Sequence, residues 1–120
     1  EAEVIIDVLE AKINKYFKAV DHDAIADLYH SDCVIVDRQT KTALFGKEGT
    51  SLFPCFIQNR KQISFETWNK KLDLASTHFV YSGDCELIVD AEKKSYKGTF
   101  KQILQRFGSD WLLIYELFDL

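Results

Sequence analysis

Disulfides and thiolate metal sites are the first features that this sequence lacks. Its three cysteines, Cys33, Cys55 and Cys85, cannot all pair within one chain, and no two of them stand in a C-x-x-C spacing. An odd number of thiols is more typical of a reducing compartment than of a disulfide framework. We therefore expect a cytoplasmic protein, or a secreted one if a leader peptide has been removed.

Basic charge, long apolar runs and paired histidines are also scarce. The chain carries 15 Lys and Arg against 19 Asp and Glu, a formal net charge of -4, whereas a nucleic-acid partner requires a basic stripe. No apolar run approaches the roughly 20 residues of a membrane helix. No H-x-H or H-x-x-x-H spacing and no glycine-rich phosphate loop occurs. We expect no nucleic-acid partner, no membrane, no metal and no cofactor.

What the sequence does contain is enough apolar material for one packed domain. Hydrophobic residues make up 47% of the 120 residues, and aromatic residues make up 13%. A chain of this length buries roughly 65% of the surface that its unfolded form exposes. We therefore predict a single domain over residues 1–120.

Three helices are predicted from periodicity and capping residues. Residues 2–20 place apolar side chains at steps of three and four, which is typical of one face of a helix. Asp21 or Asp23 is a suitable N-cap for a second helix over residues 24–29. A third helix over residues 51–59 carries the one proline in its first turn, where the missing N–H has no partner to lose.

The rest of the chain alternates in the manner of β-strands. A shift of apolar parity predicts a bulge near Asn69. Residues 77–90 form either one long strand with a second bulge at Ser82 and Gly83, which we favour, or a hairpin that turns there. The final strand is apolar on both faces except at Glu116. The predicted strands cover residues 33–37, 42–45, 62–75, 77–90, 95–107 and 111–118. This order predicts an α+β fold in which a curved, mixed or antiparallel sheet of about six strands wraps around three helices.

Four short stretches match the wording of a known superfamily. They read DHDAIADLY over residues 21–29, SDCVIVD over 31–37, FGKE over 45–48 and DWLL over 110–113. In this order and spacing they resemble the nuclear transport factor 2-like superfamily, which includes ketosteroid isomerase and the SnoaL-like cyclases. The resemblance implies a cone-shaped α+β barrel with a hollow, and homodimers that pair through the outer face of the sheet.

The resemblance also implies a role for Asp37. Isomerase-like members use an Asp at the end of the first strand as a general base, together with two oxyanion donors, and Asp37 matches that base. The donor positions fall on Ile13 and near Ile103, which cannot donate, so isomerase or cyclase activity is disfavoured. The other interpretation is that Asp37 caps the hairpin turn beside Arg38.

The expected function is binding rather than catalysis. Aromatic and polar side chains on the predicted strands and first helix would form the apolar site of a small ligand, or would simply fill the hollow as core. We therefore predict a homodimeric domain that binds a small apolar ligand, with Asp37 as the main polar group of the site. One alternative is a nuclear-transport-type module that binds proteins, and another is an isomerase- or cyclase-like enzyme that uses Asp37 as general base. The predicted ligand-binding residues are Tyr16, Phe17, Trp68, Tyr81, Phe100, Gln102 and Tyr115, with Asp37 as the candidate catalytic residue.

Overall fold

Six strands form one curved sheet in the computed structural model, which describes residues 2–19, 21–46, 63–89 and 93–120. The strands are β1 (Tyr29–Asp37), β2 (Thr42–Phe45), β3 (Ile63–Leu74), β4 (His78–Val89), β5 (Lys94–Phe107) and β6 (Asp110–Asp119). Their order across the sheet is β2-β1-β6-β5-β4-β3. The pair β1 and β6 is parallel and every other pair is antiparallel. The predicted α+β class with a mixed sheet is confirmed. The predicted third helix and Cys55 lie outside the described residues.

The first helix, α1 (Ala2–Ala19), packs its apolar stripe against the inner face of the sheet. Ile6, Leu9, Ile13 and Phe17 are buried, at the steps of three and four that one helix face requires. Burying a side chain of this size contributes about 1.5–3 kcal/mol, so the stripe is the main attachment of α1. The side chain of Asn14 adds a polar tie, since its Oδ1 accepts the backbone N–H of Phe65 at 2.9 Å.

The second helix is shorter than predicted. It spans His22–Ala26 (α2), and Asp21 is its cap, with Oδ1 accepting the N–H of Ala24 at 3.2 Å. The prediction that this helix continues to residue 29 was wrong, because β1 already begins at Tyr29. Pairing decides the boundary: the N–H of Leu113 donates to the carbonyl of Leu28 at 3.0 Å, and Tyr29 lies beside Leu113 on β6. A long-range contact overrides the local helix preference of the segment.

The predicted bulge near Asn69 is confirmed. The register of β3 against β4 shifts between Trp68 and Lys71, and Asn69 has a φ of 53°. The predicted second bulge, at Ser82 and Gly83, is not present, because β4 pairs with β5 without a shift. Gly83 instead accommodates the bulge of β3: a Cβ there would stand 2.9 Å from the carbonyl oxygen of Trp68. The absence of a side chain at Gly83 therefore makes room for the bulge of β3, and β4 itself is regular.

Candidate functional site

The centre of the inner sheet face holds one buried carboxyl group, that of Glu116 on β6. Glu116 is 3% exposed, and Gln102 on β5, its register partner, is also 3% exposed. The Tyr29 hydroxyl donates to Glu116 Oε1 at 2.6 Å, and Gln102 Nε2 donates to Oε2 at 2.5 Å. We call these three side chains the Glu116 cluster. Three strands supply one residue each, so the cluster exists only when β1, β6 and β5 are paired.

The surroundings of the Glu116 cluster are apolar. Ile35 on β1 is the register neighbour of Glu116, and Tyr81 on β4 is that of Gln102. Farther along the strands, Phe118 pairs with Phe100 on one side of the cluster. Leu104 pairs with Leu113 on the other side, and both are buried. A carboxyl group in such a position has lost its hydration, and among the described residues Tyr29 and Gln102 supply its hydrogen bonds.

Burial changes the ionisation of Glu116. Loss of hydration raises the pKa of its carboxyl group to about 7, although the hydrogen bonds from Tyr29 and Gln102 pull the pKa down. Burial, together with the charge of Glu116, raises the pKa of the Tyr29 hydroxyl well above its ordinary value. Tyr29 is therefore a donor throughout the neutral range, whereas Glu116 exchanges its proton there. A carboxyl group with this property can donate or accept a proton near pH 7.

Two thiols lie within the electrostatic reach of Glu116. Burial and the charge of Glu116 raise the pKa of Cys33, and the same causes raise that of Cys85 to about 11. Both cysteines are free and remain thiols at neutral pH. Within the described ranges, no group of three or more His, Cys, Asp or Glu side chains is arranged to hold a metal ion. The thiols therefore contribute small apolar surface to the inner face.

A second carboxyl group, that of Glu10 on α1, also receives a tyrosine hydroxyl. Tyr81 Oη donates to Glu10 Oε1 at 2.5 Å, and Thr67 Oγ1 donates to Oε2 at 2.7 Å. Lys70, which lies in the bulge of β3, places its Nζ 3.1 Å from Oε1. Glu10 therefore ties α1 to β3 and β4 through an ion pair as well as hydrogen bonds. We call these four side chains the Glu10 cluster.

Asp37 lies at the end of β1, and its carboxylate accepts hydrogen bonds from the turn that follows. Its Oδ1 accepts the backbone N–H of Gln39 at 3.0 Å and that of Thr40 at 3.4 Å. An Asp side chain that bonds the backbone two residues on is a common way to stabilise a turn. Gln39 in turn donates to Asp119 Oδ1 at the end of β6. This arrangement matches the turn-capping interpretation of Asp37.

The structure separates the predicted ligand-binding residues into two groups. Four of them are buried in the core between α1 and the sheet: Phe17 on α1, and Tyr81, Phe100 and Gln102 on the strands. The rings of Tyr81 and Phe100 pack edge to face, with their centroids 4.8 Å apart. The other three lie elsewhere. Trp68 is 39% exposed, because it precedes the β3 bulge and pairs with Asp84 on the outer face. Tyr115 also lies on the outer face, since its neighbour Glu116 points inward. Tyr16 is half-buried beside the core.

Glu116 and Tyr29 were not among the predicted site residues. Glu116 carried a signal, since it is the one polar residue between Trp111 and Phe118. Strand alternation alone could not decide its face, because both faces of this strand are apolar. Tyr29 carried no signal, because it belongs to a helix-like stretch in the sequence. Only its pairing with Leu113 brings its hydroxyl to Glu116.

The chain has the nuclear transport factor 2-like fold, as the resemblance in its sequence implied. No protein-family model and no curated protein matches the sequence. The fold is shown by solved structures. One is a nuclear transport factor 2-like protein of unknown function from Pseudomonas putida, with a TM-score of 0.81 at 19% identity, over 98% of this chain and 85% of that one.

Two further structures have the same fold. A putative calcium/calmodulin-dependent protein kinase II association domain from Xanthomonas campestris has a TM-score of 0.83 at 17% identity, over 99% of this chain and 86% of that one. The protein Aln2 from a Streptomyces species has a TM-score of 0.84 at 13% identity, over 98% and 89% of the two chains. At these identities the likeness concerns the fold, and a fold of this kind carries many functions. In the described ranges, no helix is both long and apolar enough to cross a membrane.

Proposed function

We propose that this protein binds a small, mostly apolar molecule on the inner face of the sheet beneath α1, with the Glu116 cluster as the polar anchor. The observation that carries the proposal is the carboxyl group of Glu116, which is 3% exposed and accepts hydrogen bonds from two neutral side chains, those of Tyr29 and Gln102. Removing such a group from water costs free energy, and an apolar residue of similar volume at the same place is often neutral or stabilising. A polar cluster kept at that cost in an apolar interior is typical of a binding site.

The predicted rings fit the same proposal. Gln102 is the register partner of Glu116, Tyr81 and Phe100 lie on the same inner face, and Phe17 of α1 is buried in the same core. An apolar surface with a small number of converging polar groups is the usual composition of a small-ligand pocket. Glu116 takes the place that the sequence assigned to Asp37, whose carboxylate is engaged by the β1–β2 turn.

Binding can be tested on the purified chain with a panel of steroids and polyketides, by ligand-observed NMR and native mass spectrometry. The variant Gln102→Met keeps the volume of the side chain but removes its donors, and it should weaken binding roughly 10-fold. Lys101→Met makes a similar change to the adjacent, outward-facing residue and should leave the affinity unchanged. A wild-type protein that retains no member of the panel, and no apolar amine or alcohol either, would contradict the proposal, as would equal binding by the two variants.

We further propose that two copies of this chain pair through the outer face of the sheet. Val34, Tyr115, Ile103 and Val80 are register neighbours on four adjacent strands, and all four are half-buried. They form an apolar row across the outer face, which we call the outer row. A partner that covers this row would remove its apolar surface from water, and a second copy carries a matching row.

Oligomeric state tests this pairing directly. Ile103→Lys places a charge in the middle of the outer row and should convert a dimer into a monomer in analytical ultracentrifugation. Thr99→Lys adds the same charge to the same strand outside the row and should leave the dimer intact. A wild-type chain that sediments as a monomer at tens of micromolar would contradict the pairing.

A further inference from the structure

The electrostatic surroundings of Glu116 restrict the kind of molecule that it can hold. On β5 and β4 the residues facing it are Gln102 and Tyr81, and on β1 they are Ile35, Cys33 and Tyr29. The part of α1 that packs over this face consists of Ile6, Leu9, Ile13 and Phe17. In the described parts of the chain, no Lys, Arg or His side chain forms an ion pair or hydrogen bond with Glu116, and none contributes to the shift of its pKa. Lys101 and Arg106, on β5, are exposed.

Hydrogen-bond capacity adds a second restriction. A carboxylate has about four lone-pair positions, and Tyr29 and Gln102 occupy two of them. Both partners donate to Glu116, so the capacity that remains on its ionised, carboxylate form is acceptor capacity. A bound molecule must bring N–H or O–H groups to use it. A ligand that offers only carbonyl, ether or carboxylate oxygens would place its own lone pairs against those of the Glu116 carboxylate and could not form a hydrogen bond with it.

A pair of rings on one side of the Glu116 cluster is a third feature. Phe100 and Phe118 are register partners and lie two residues along their strands from Gln102 and Glu116. Two residues along a strand is roughly 7 Å, so these rings are within reach of a group seated on the carboxylate. Aromatic faces attract cations and also pack against apolar groups. The whole chain has a net charge of -4, which draws cations rather than anions towards it.

We infer that the molecule bound at the Glu116 cluster is an amine with an apolar body, whose ammonium group donates to Glu116 while the body packs against Phe100 and Phe118. This inference rests on the proposed function and specifies its ligand class. An ammonium has three donors and no acceptor, which matches the free acceptor capacity of the carboxylate. It also supplies the positive charge that no described neighbour of Glu116 provides. A neutral alcohol would supply a hydrogen-bond donor but not the positive charge.

A matched series of probes tests the ligand class. Cyclohexylmethylamine, cyclohexylmethanol and cyclohexanecarboxylate share one apolar body, and the 1-adamantyl amine, alcohol and carboxylate form a larger set. At pH 7.5, we expect the amine of at least one set to bind 10-fold or more tightly than its alcohol, and the carboxylate not to bind. Glu116→Gln should weaken amine binding on the order of 100-fold and change alcohol binding little. Glu10→Gln is the control and should leave amine binding unchanged.

Proton release provides a second readout that needs no variant. Because the pKa of Glu116 is raised to about 7, the free protein is mostly protonated there at pH 6, and an ammonium that binds the carboxylate must displace that proton. Calorimetry of the amine in two buffers of different ionisation enthalpy should show release of close to one proton at pH 6 and almost none at pH 9. The alcohol should show none at either pH.

The outcomes separate the two proposals. Equal affinity for amine and alcohol, or amine binding without proton release at pH 6, would overturn the amine inference and leave small-molecule binding standing. Absence of binding by all six probes, together with failure of the steroid and polyketide panel, would overturn both.

Discussion

The two glutamates of the inner face are alike in their first contact and different in all others. Glu10 on α1 and Glu116 on β6 each accept a hydrogen bond from a buried tyrosine hydroxyl, at 2.5 and 2.6 Å. Glu10 also has Lys70 at 3.1 Å, and 17% of its side chain is accessible to solvent. Glu116 is 3% exposed and has Gln102 as its other partner.

Glu10 is therefore a carboxyl group that stabilises the fold, whereas Glu116 is one whose burial costs stability. Glu10 keeps part of its hydration and an ion pair with Lys70 while it attaches α1 to the edge of the sheet. Glu116 has neutral partners, and burial therefore raises its pKa to about 7. Among otherwise similar buried acids, the presence of a cation distinguishes a structural tie from a candidate site.

The largest expected effect is on the pH dependence of stability. Because the folded pKa of Glu116 lies above its ordinary value of 4.5, the native state binds more protons than the unfolded state between those values. Stability should thus fall as pH rises from about 5 to 8, by roughly 3 kcal/mol from this group. Glu116→Gln should remove that fall, so urea unfolding of the variant and the wild type at both pH values measures the difference. Glu10→Gln should retain it, and parallel pH profiles of wild type and Glu116→Gln would refute the account.

The next largest effects are expected from removing the tyrosine hydroxyls that donate to the two glutamates. Tyr29→Phe removes one of two donors to Glu116, and it should cost about 2 kcal/mol at pH 8, where the carboxylate is charged, and less at pH 5. Tyr81→Phe removes one donor of three groups around Glu10 and should cost about 1 kcal/mol. Urea unfolding gives both values, and carboxyl carbon NMR should show the pKa of Glu116 rising in Tyr29→Phe alone. An unchanged Glu116 titration in that variant would contradict the hydrogen bond.

A smaller effect is expected from the cation of the Glu10 cluster. Lys70→Met keeps much of the side-chain length but removes the charge near Glu10, and it should cost up to about 1 kcal/mol, because the pair is partly exposed. The cost should shrink as salt is raised from 0.05 to about 1 M, since added ions screen the pair in the wild type. Lys71→Met, on the exposed neighbouring residue, is the control. A cost that is independent of salt would indicate that Lys70 acts through packing.

The smallest effect is expected at Asp37. Asp37→Asn retains a side-chain oxygen that can accept the N–H groups of Gln39 and Thr40, so stability should change by less than about 0.5 kcal/mol. Amine and alcohol binding should also stay the same. Loss of binding in this variant would indicate that Asp37 is the polar anchor of the ligand. The contrast between Glu10 and Glu116 would then no longer identify the binding site.

Local patterns predicted most of the fold. The periodicity of α1, the Asp21 cap and the parity shift at Asn69 depend on residues near one another in sequence, and all three are present. The order of the strands across the sheet was not predicted, because it depends on pairing between residues far apart in the sequence. The third predicted helix falls outside the described residues.

The candidate site was harder to predict, because its members meet only in three dimensions. Gln102 shares the parity of Phe100 and Leu104 on an alternating strand, and it does face inward. Tyr115 and Trp68 carry rings suited to a ligand site, but strand alternation turns both to the outer face. Glu116 became prominent only when its neighbours were known to be uncharged, and that depends on the pairing of β6 with β1 and β5.

The parallel pair of β1 and β6 also determines when the Glu116 cluster can exist during synthesis. Tyr29 and Glu116 are 87 residues apart, and the glutamate lies on β6, which is synthesised after the other five described strands. Closing so large a loop is entropically costly and is rewarded only when the final strand inserts between β1 and β5. A nascent chain that has not reached β6 therefore has a sheet with an open centre. The ionisation of Glu116 would report completion of the whole domain rather than of any local element.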